Sequence, residues 1–187
     1  NPDEKQVDGV LTNIRDSYFS QLEKTLPPQR IRNIINILGT IGDEQSVDEL
    51  LNLLDNSDRA VASRIAAAEA LGDAARAKRP GALRQKIVDS LLRILEEDVD
   101  SRIAIAASIS LSRLRQEKGV TFLLDELQGL EAERKQNEDG TFEKEPEDIT
   151  ELRVRAQEAL TSSGDFVVPY LLEELNEGDP GRILAWA

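Results

Sequence analysis

Hydrophobic residues recur along most of this chain at intervals of three and four, the spacing that lines one face of an amphipathic helix. Four stretches show it in a common form. Ile31, Ile34, Ile35 and Leu38 make the first, and Ile65, Ala68 and Leu71 the second. Ile103, Ala106, Ala107 and Leu111 make the third, and Leu152, Ala156, Ala159 and Leu160 the fourth. Each stretch closes on a Leu and a small or short residue: Leu38-Gly39, Leu71-Gly72, Leu111-Ser112 and Leu160-Thr161. Ala66, Ala67 and Ala70 add little bulk, which lets neighbouring helices approach closely.

A second apolar stretch follows each of these. The copies align on Val47, Val88, Val120 and Val168, then on Leu50, Leu91, Leu123 and Leu171. Leu51, Leu92, Leu124 and Leu172 come next, and Leu54, Leu95, Leu127 and Leu175 end the pattern. Gly42 is well placed to stop a helix, while Gly39 and Gly72 suit either packing or termination. Pro169 falls in the first turn of its helix, where a missing N–H costs little. The pattern predicts helical hairpins at 29–58, 59–100, 101–130 and 151–178. Residues 1–28 carry an amphipathic helix through Val7, Val10, Leu11, Ile14, Tyr18 and Leu22, read as a cap or as the remnant of a preceding repeat. Residues 179–187, DPGRILAWA, resemble the opening of a fifth first helix. With no Met anywhere in the chain, that unfinished copy points to a segment of a longer protein.

Two insertions break the period. The step from the Gly39-type position to the aligned Val takes 8, 16, 8 and 7 residues in the four copies. The second copy therefore carries a longer connection at 74–81, read as a basic loop with Arg76, Lys78 and Arg79 and continued by Arg84 and Lys86. The other insertion, 131–150, is acidic. From Glu131 to Glu151 there are nine acids and three bases. Its Gln136-Asn137-Glu138-Asp139-Gly140 centre favours a turn, and it is read as a helix reaching about Lys135 and then a loop.

Three segments resemble the short HEAT-like repeats of the phycobilisome-lyase group: RIAAAEALGD at 64–73, LGTIGDEQSVDELLNLL at 38–54 and LRVRAQEALTSSGDFVVPYLLEEL at 152–175. Arg64 and Arg153 stand at that family's repeat Arg, and Asp43 and Asp165 at its inter-helix Asp; the second and third copies lack an aligned Asp. The resemblance covers roughly residues 29–181. It implies an all-α fold, a right-handed α-α superhelix of stacked helical hairpins, with first helices on the convex side and second helices on the concave side. A single hairpin cannot bury its apolar face, so neighbours must stack to close the core.

Composition narrows the chemistry. There is no Cys and no His, which removes disulfides, thiolates, the commonest metal ligand and the usual near-neutral general base. A formal net charge of −13 opposes phosphate backbones. No apolar run is long enough to span a bilayer. These features disfavour an enzyme and imply no cofactor, metal, nucleic acid or membrane, in a cytoplasmic protein.

Stepping outward from the second-helix register gives a polar stripe: Asp48, Asn52 and Asp55; Asp89, Arg93 and Glu96; Thr121, Asp125 and Gln128; Pro169, Glu173 and Asn176. Six acids against one Arg predict an acidic groove suited to a basic or amide-rich segment of another protein. Phe122 and Tyr170 share one repeat position, as seam packing or, if exposed, as anchors. The function expected is a protein-interaction scaffold. The alternatives are a bilin-lyase-like or chaperone-like factor acting on phycobiliproteins, which the family resemblance implies, and a regulatory module of a larger protein.

Overall fold

A computed structural model describes residues 2–22, 26–77, 81–97, 100–132 and 147–177, and nearly all of these are helical. The elements are α1 (Pro2–Leu22), α2 (Pro28–Ile41), α3 (Glu44–Asp55), α4 (Val61–Arg76), α5 (Gly81–Glu96), α6 (Ser101–Arg113), α7 (Glu117–Ala132), α8 (Glu147–Ser162) and α9 (Val168–Glu177), with a short 3-10 turn at Gly164–Phe166 before α9. No strand occurs among the described residues. The fold is an all-α helical repeat. The chain divides into two compact units, Asn1–Leu91 and Leu92–Ala187, with the division inside α5.

In the first unit α2 packs on α3 and α4, α3 on α4, and α1 against α2. The core takes Ile34, Ile35 and Leu38 from α2, Val47, Leu50, Leu51 and Leu54 from α3, and Ala66, Ala67, Ala68 and Leu71 from α4. Apart from Ala66 and Ala67, these are aligned positions of the first copy and of the first helix of the second. Burying one Leu or Ile of this kind contributes about 1.5–3 kcal/mol.

Local chemistry sets the helix ends. Pro28 opens α2, where its fixed φ suits a first turn. Gly42 ends that helix in the left-handed region (φ 55°) and returns its N–H to the Leu38 carbonyl at 2.8 Å. Asp43 then caps α3, its Oδ1 accepting the Ser46 amide at 2.8 Å. At the far end of α3 the Leu54 carbonyl accepts Arg64 Nε from α4 at 2.7 Å. This ties successive hairpins together with a charged donor.

Gly39 lies inside α2 and is fully enclosed. A Cβ there would stand 2.8 Å from both the Cβ and the carbonyl oxygen of Ala70 on α4. Its role is close approach of two first helices, not termination.

The second unit repeats the scheme. α6 packs on α7 and α8, and α7 on α8. Ile105 and Ile109 of α6, Val120, Leu123, Leu124 and Leu127 of α7, and Ala156, Ala159 and Leu160 of α8 form one cluster with Val167. Ser112, at the Gly39 position, is buried and shares a 3.0 Å hydrogen bond with Ser163 at the end of α8. The closest backbone approach here is made by Gly119 of α7, whose Cβ would collide with Leu111 and Ser112.

Both insertions contribute residues to the helices that flank them. Within the expected basic loop 74–81, residues 74–76 are helical instead, since α4 continues through Arg76 with Ala74 and Ala75 buried, and Gly81 opens α5. Leu71, Ala74 and Ala75 extend the three-and-four spacing, so the helix gains buried contact by running on. Arg84 and Lys86 lie in α5, while Lys78 and Arg79 are outside the described residues. In the acidic insertion, 131–132 belong to α7 and 147–150 to α8; 133–146, with Phe142 and the expected helix end near Lys135, fall outside the description. The segment 179–187 falls outside it too.

Gly39→Val should destabilise the chain by about 1–3 kcal/mol, because backbone and not a flexible side chain must yield. Gly9→Ala is the control. Its Cβ meets nothing within 4 Å, so helix propensity alone should raise stability by roughly 0.5–1 kcal/mol. Denaturant melts followed by circular dichroism measure both.

Candidate functional site

The outward face of the second helices carries most of the polar residues singled out from the sequence. In the first unit Asp48, Asn52 and Asp55 lie on α3, and Asp89 on α5. Asn52, Asp55 and Asp89 are exposed and Asp48 is half-buried. Lys86 on α5 reaches Asp48 Oδ1 at 2.6 Å. That hydrogen bond, and then the charges of Asp48 and Glu44, hold the Lys86 ammonium above its ordinary range despite slight desolvation. Asp89 accepts a 2.8 Å hydrogen bond from Gln85, one turn earlier.

The base of α3 is fixed from α1. Arg15, 7% exposed, donates to Asp43 Oδ2 at 2.7 Å and to Asp16 at 3.1 Å. Burial of Asp43 favours its neutral form, but hydrogen bonds from Ser46 and Arg15 and the Arg15 charge outweigh that and hold the carboxyl below its usual range. Arg15 was not anticipated from sequence. The available signal was a lone Arg among the apolar positions of α1, one turn from Leu11 and Tyr18.

In the second unit Arg93 and Glu96 lie near the end of α5, Asp125 and Gln128 on α7, and Tyr170 and Glu173 on α9. Arg93 pairs with Glu97 at 2.6 Å, and Glu96 with Lys118 of α7 at 2.8 Å. The Lys118 hydrogen bond, followed by its charge, holds Glu96 below the usual carboxylate range. Thr121 and Asp125 continue the exposed line of α7 one and two turns beyond Glu117. On α9 the Tyr170 ring is half-buried and stands edge-on to Phe166, with centroids 5.7 Å apart. Desolvation and then the charges of Glu117 and Glu173 push its phenol upward. The hydroxyl therefore stays protonated at neutral pH. Phe122 is half-buried as well.

The structure changes the electrostatics expected of this face. The stripe of six acids and one Arg left out Lys86 and Lys118, each two residues before its aligned Val, and both neutralise acids counted in the stripe. Counting one side of a helix missed them because a lysine stem reaches across to the neighbouring helix. Arg76 sits in the last turn of α4, and Arg84 and Lys86 are exposed on α5. The five basic residues thus form no single loop.

Elsewhere, a surface cavity of about 240 Å³ opens between the starts of α2 and α4, with Arg32 as its charged lining residue. Among the described residues no group of three or more metal-binding side chains occurs, and no helix is long and apolar enough to cross a membrane.

Residues 32–56 match the family described as PBS lyase HEAT-like repeat. They run from the second turn of α2 through the Gly42 stop and the Asp43 cap to the end of α3. The α2–α3 hairpin is similar to a HEAT-like repeat. Asp48, Asn52 and Asp55 stand on the outward side of this HEAT-like hairpin. No curated protein matches the chain.

Asp43→Ala should cost about 1–2 kcal/mol through loss of the α3 cap, and Asp43→Asn less, since an amide oxygen still caps. The folded-state pKa of Asp43 lies below its unfolded value. Its charge-dependent stabilisation is therefore present above the ordinary carboxylate range and is lost as pH falls through the folded pKa. Urea melts should show a gap between the parent chain and Asp43→Asn at neutral pH, closing as pH falls below the ordinary carboxylate range.

Proposed function

We propose that this chain is a non-catalytic protein-interaction scaffold, and that the Tyr170 face of its second unit receives a basic or amide-rich segment of another protein. The observation that carries this reading is the setting of Tyr170. Its half-exposed ring is braced by Phe166, and its phenol feels the charges of Glu117 and Glu173. An aromatic face attracts a Lys or Arg side chain, and flanking carboxylates add direct pairing. Braced aromatics are also the usual anchors of protein interfaces. Asp125 and Gln128 extend the polar surface along α7 for neighbouring residues of such a segment. The chain's net charge of −13 favours a basic partner and disfavours nucleic acid. The absence of His and Cys removes the commonest catalytic base and nucleophile, and a Cys-free acidic chain fits a cytoplasmic setting.

Fluorescence anisotropy with a labelled Lys/Arg-rich peptide tests the proposal. Tyr170→Ala and Asp125→Lys should each weaken binding by about tenfold, Tyr170→Phe should retain it, and added salt should weaken it. Lys118→Gln, which releases Glu96 from its partner, should strengthen it. Failure to bind, equal binding of an acidic peptide, or indifference to Asp125→Lys would overturn the reading. The match of residues 32–56 favours a second reading, a bilin-lyase-like or chaperone-like factor for phycobiliproteins. A visible absorption band retained on the protein after bilin is added would support that one.

A further inference from the structure

The starts of α2 and α4 frame the surface cavity of about 240 Å³ in the first unit. Pro28, Ile31, Ala60 and Ala62 give it a largely apolar wall, Ser63 adds a hydroxyl, and Arg32 brings a positive charge. That volume falls below the roughly 300–1,000 Å³ of most small-molecule sites, so it suits one or two side chains better than a cofactor.

The charge around this cavity runs against that of the chain. Residues 28–33 and 59–64, which open the two helices, contain Arg30, Arg32, Arg59 and Arg64 and no acid. With Asp58 counted, which directly precedes Arg59, this corner still carries four positive charges against one negative, on a chain of net −13. The positive ends of the α2 and α4 backbone dipoles add to the same field. Arg64 donates to the Leu54 carbonyl at 2.7 Å and Arg30 to the Gln21 amide oxygen at 3.1 Å, both neutral acceptors that leave the positive charge in place. Arg32 has no hydrogen bond or ion pair among the described residues.

We infer that this cavity is a docking site for an acidic segment of another protein, which sets a large apolar side chain into the cavity and an adjacent carboxylate on Arg32. The apolar wall favours burial of the first. A guanidinium donates two parallel hydrogen bonds to the second. A nucleic-acid backbone would meet the arginines but leave the apolar wall unfilled, and the chain's overall charge repels a long polyanion. The site belongs to the first unit and is opposite in sign to the Tyr170 face of the second, so it stands apart from the reading of that face.

Fluorescence anisotropy of the 187-residue chain with a labelled peptide of core Glu-Leu-Asp-Leu-Glu tests the inference. The peptide should bind saturably, and the same peptide with Ala in place of both Leu should not bind, because acidic charge alone leaves the cavity empty. Arg32→Glu should weaken binding by about tenfold or more. Arg32→Lys should retain part of it, since the charge stays while the paired donors go. Ala62→Leu, at an exposed position of the cavity wall, should weaken binding by taking up the space. Arg115→Glu, the same charge reversal at an exposed position of the second unit, should change little. Helical circular dichroism checks that each variant is folded. No binding, equal binding of the Ala peptide, indifference to Arg32→Glu, or an equal effect of Arg115→Glu would each overturn the inference. Tighter binding of a single-stranded oligonucleotide than of the peptide would overturn it in favour of a nucleic-acid contact.

Discussion

Close approach of neighbouring helices is the constraint on which this architecture depends. A helical hairpin with apolar residues on more than one side cannot bury them within itself. The next hairpin must come near enough to exclude water, and the contact between Gly39 and Ala70 shows how near that is: there is no room for even a methyl group. Gly119 against Leu111 and Ser112 repeats the device between α6 and α7. The scarcity of aromatics, 4% of the chain, follows from the same geometry. Cores filled by Ala, Leu, Ile and Val between closely spaced helices leave little space for rings.

Polar contacts add register to this packing. Arg64 on the Leu54 carbonyl joins the end of one hairpin to the start of the next, and Arg15 on Asp43 joins α1 to the cap of α3. Both guanidinium groups meet backbone or carboxylate oxygens at helix ends, where unpaired groups and the helix dipole make a partner most valuable. The bridges Lys86–Asp48 and Lys118–Glu96 lie in water and contribute little to stability by comparison. Their effect is to set which carboxylates on the outward faces keep their charge available. Around Tyr170, by contrast, the charges of Glu117 and Glu173 act on a phenol hydroxyl whose ring stands against Phe166.

Much of the fold was legible from the chain alone. Four aligned positions in each second helix, from Val47 to Leu54 and their equivalents, identified residues that prove buried in the first and third copies; in the second, Val88 and Leu91 are buried while Leu92 and Leu95 are half-buried. Gly42 was readable as a stop because only a residue tolerant of positive φ suits that place. The candidate site was less legible. Tyr170 and Phe122 could be placed at one register position, but whether either was exposed depended on side chains brought in from other elements, such as Phe166 beside Tyr170. The basic insertion was found by counting residues, yet counting cannot distinguish a longer loop from two longer helices. Burial of Ala74 and Ala75 made that choice.

The sequence by itself determined the helical hairpins, their period and their inward faces, because these rest on side-chain spacing within one helix, a local property. Tertiary structure decided which charges remain on the surface, how closely helices approach, and which apolar positions stay exposed. Those depend on atoms brought together from different helices, such as Lys118 and Glu96, or on whether another described helix covers a position, which none does at the exposed Val168 and Leu172. Local periodicity is silent about both, since a helix presents the same face whether or not another helix covers it.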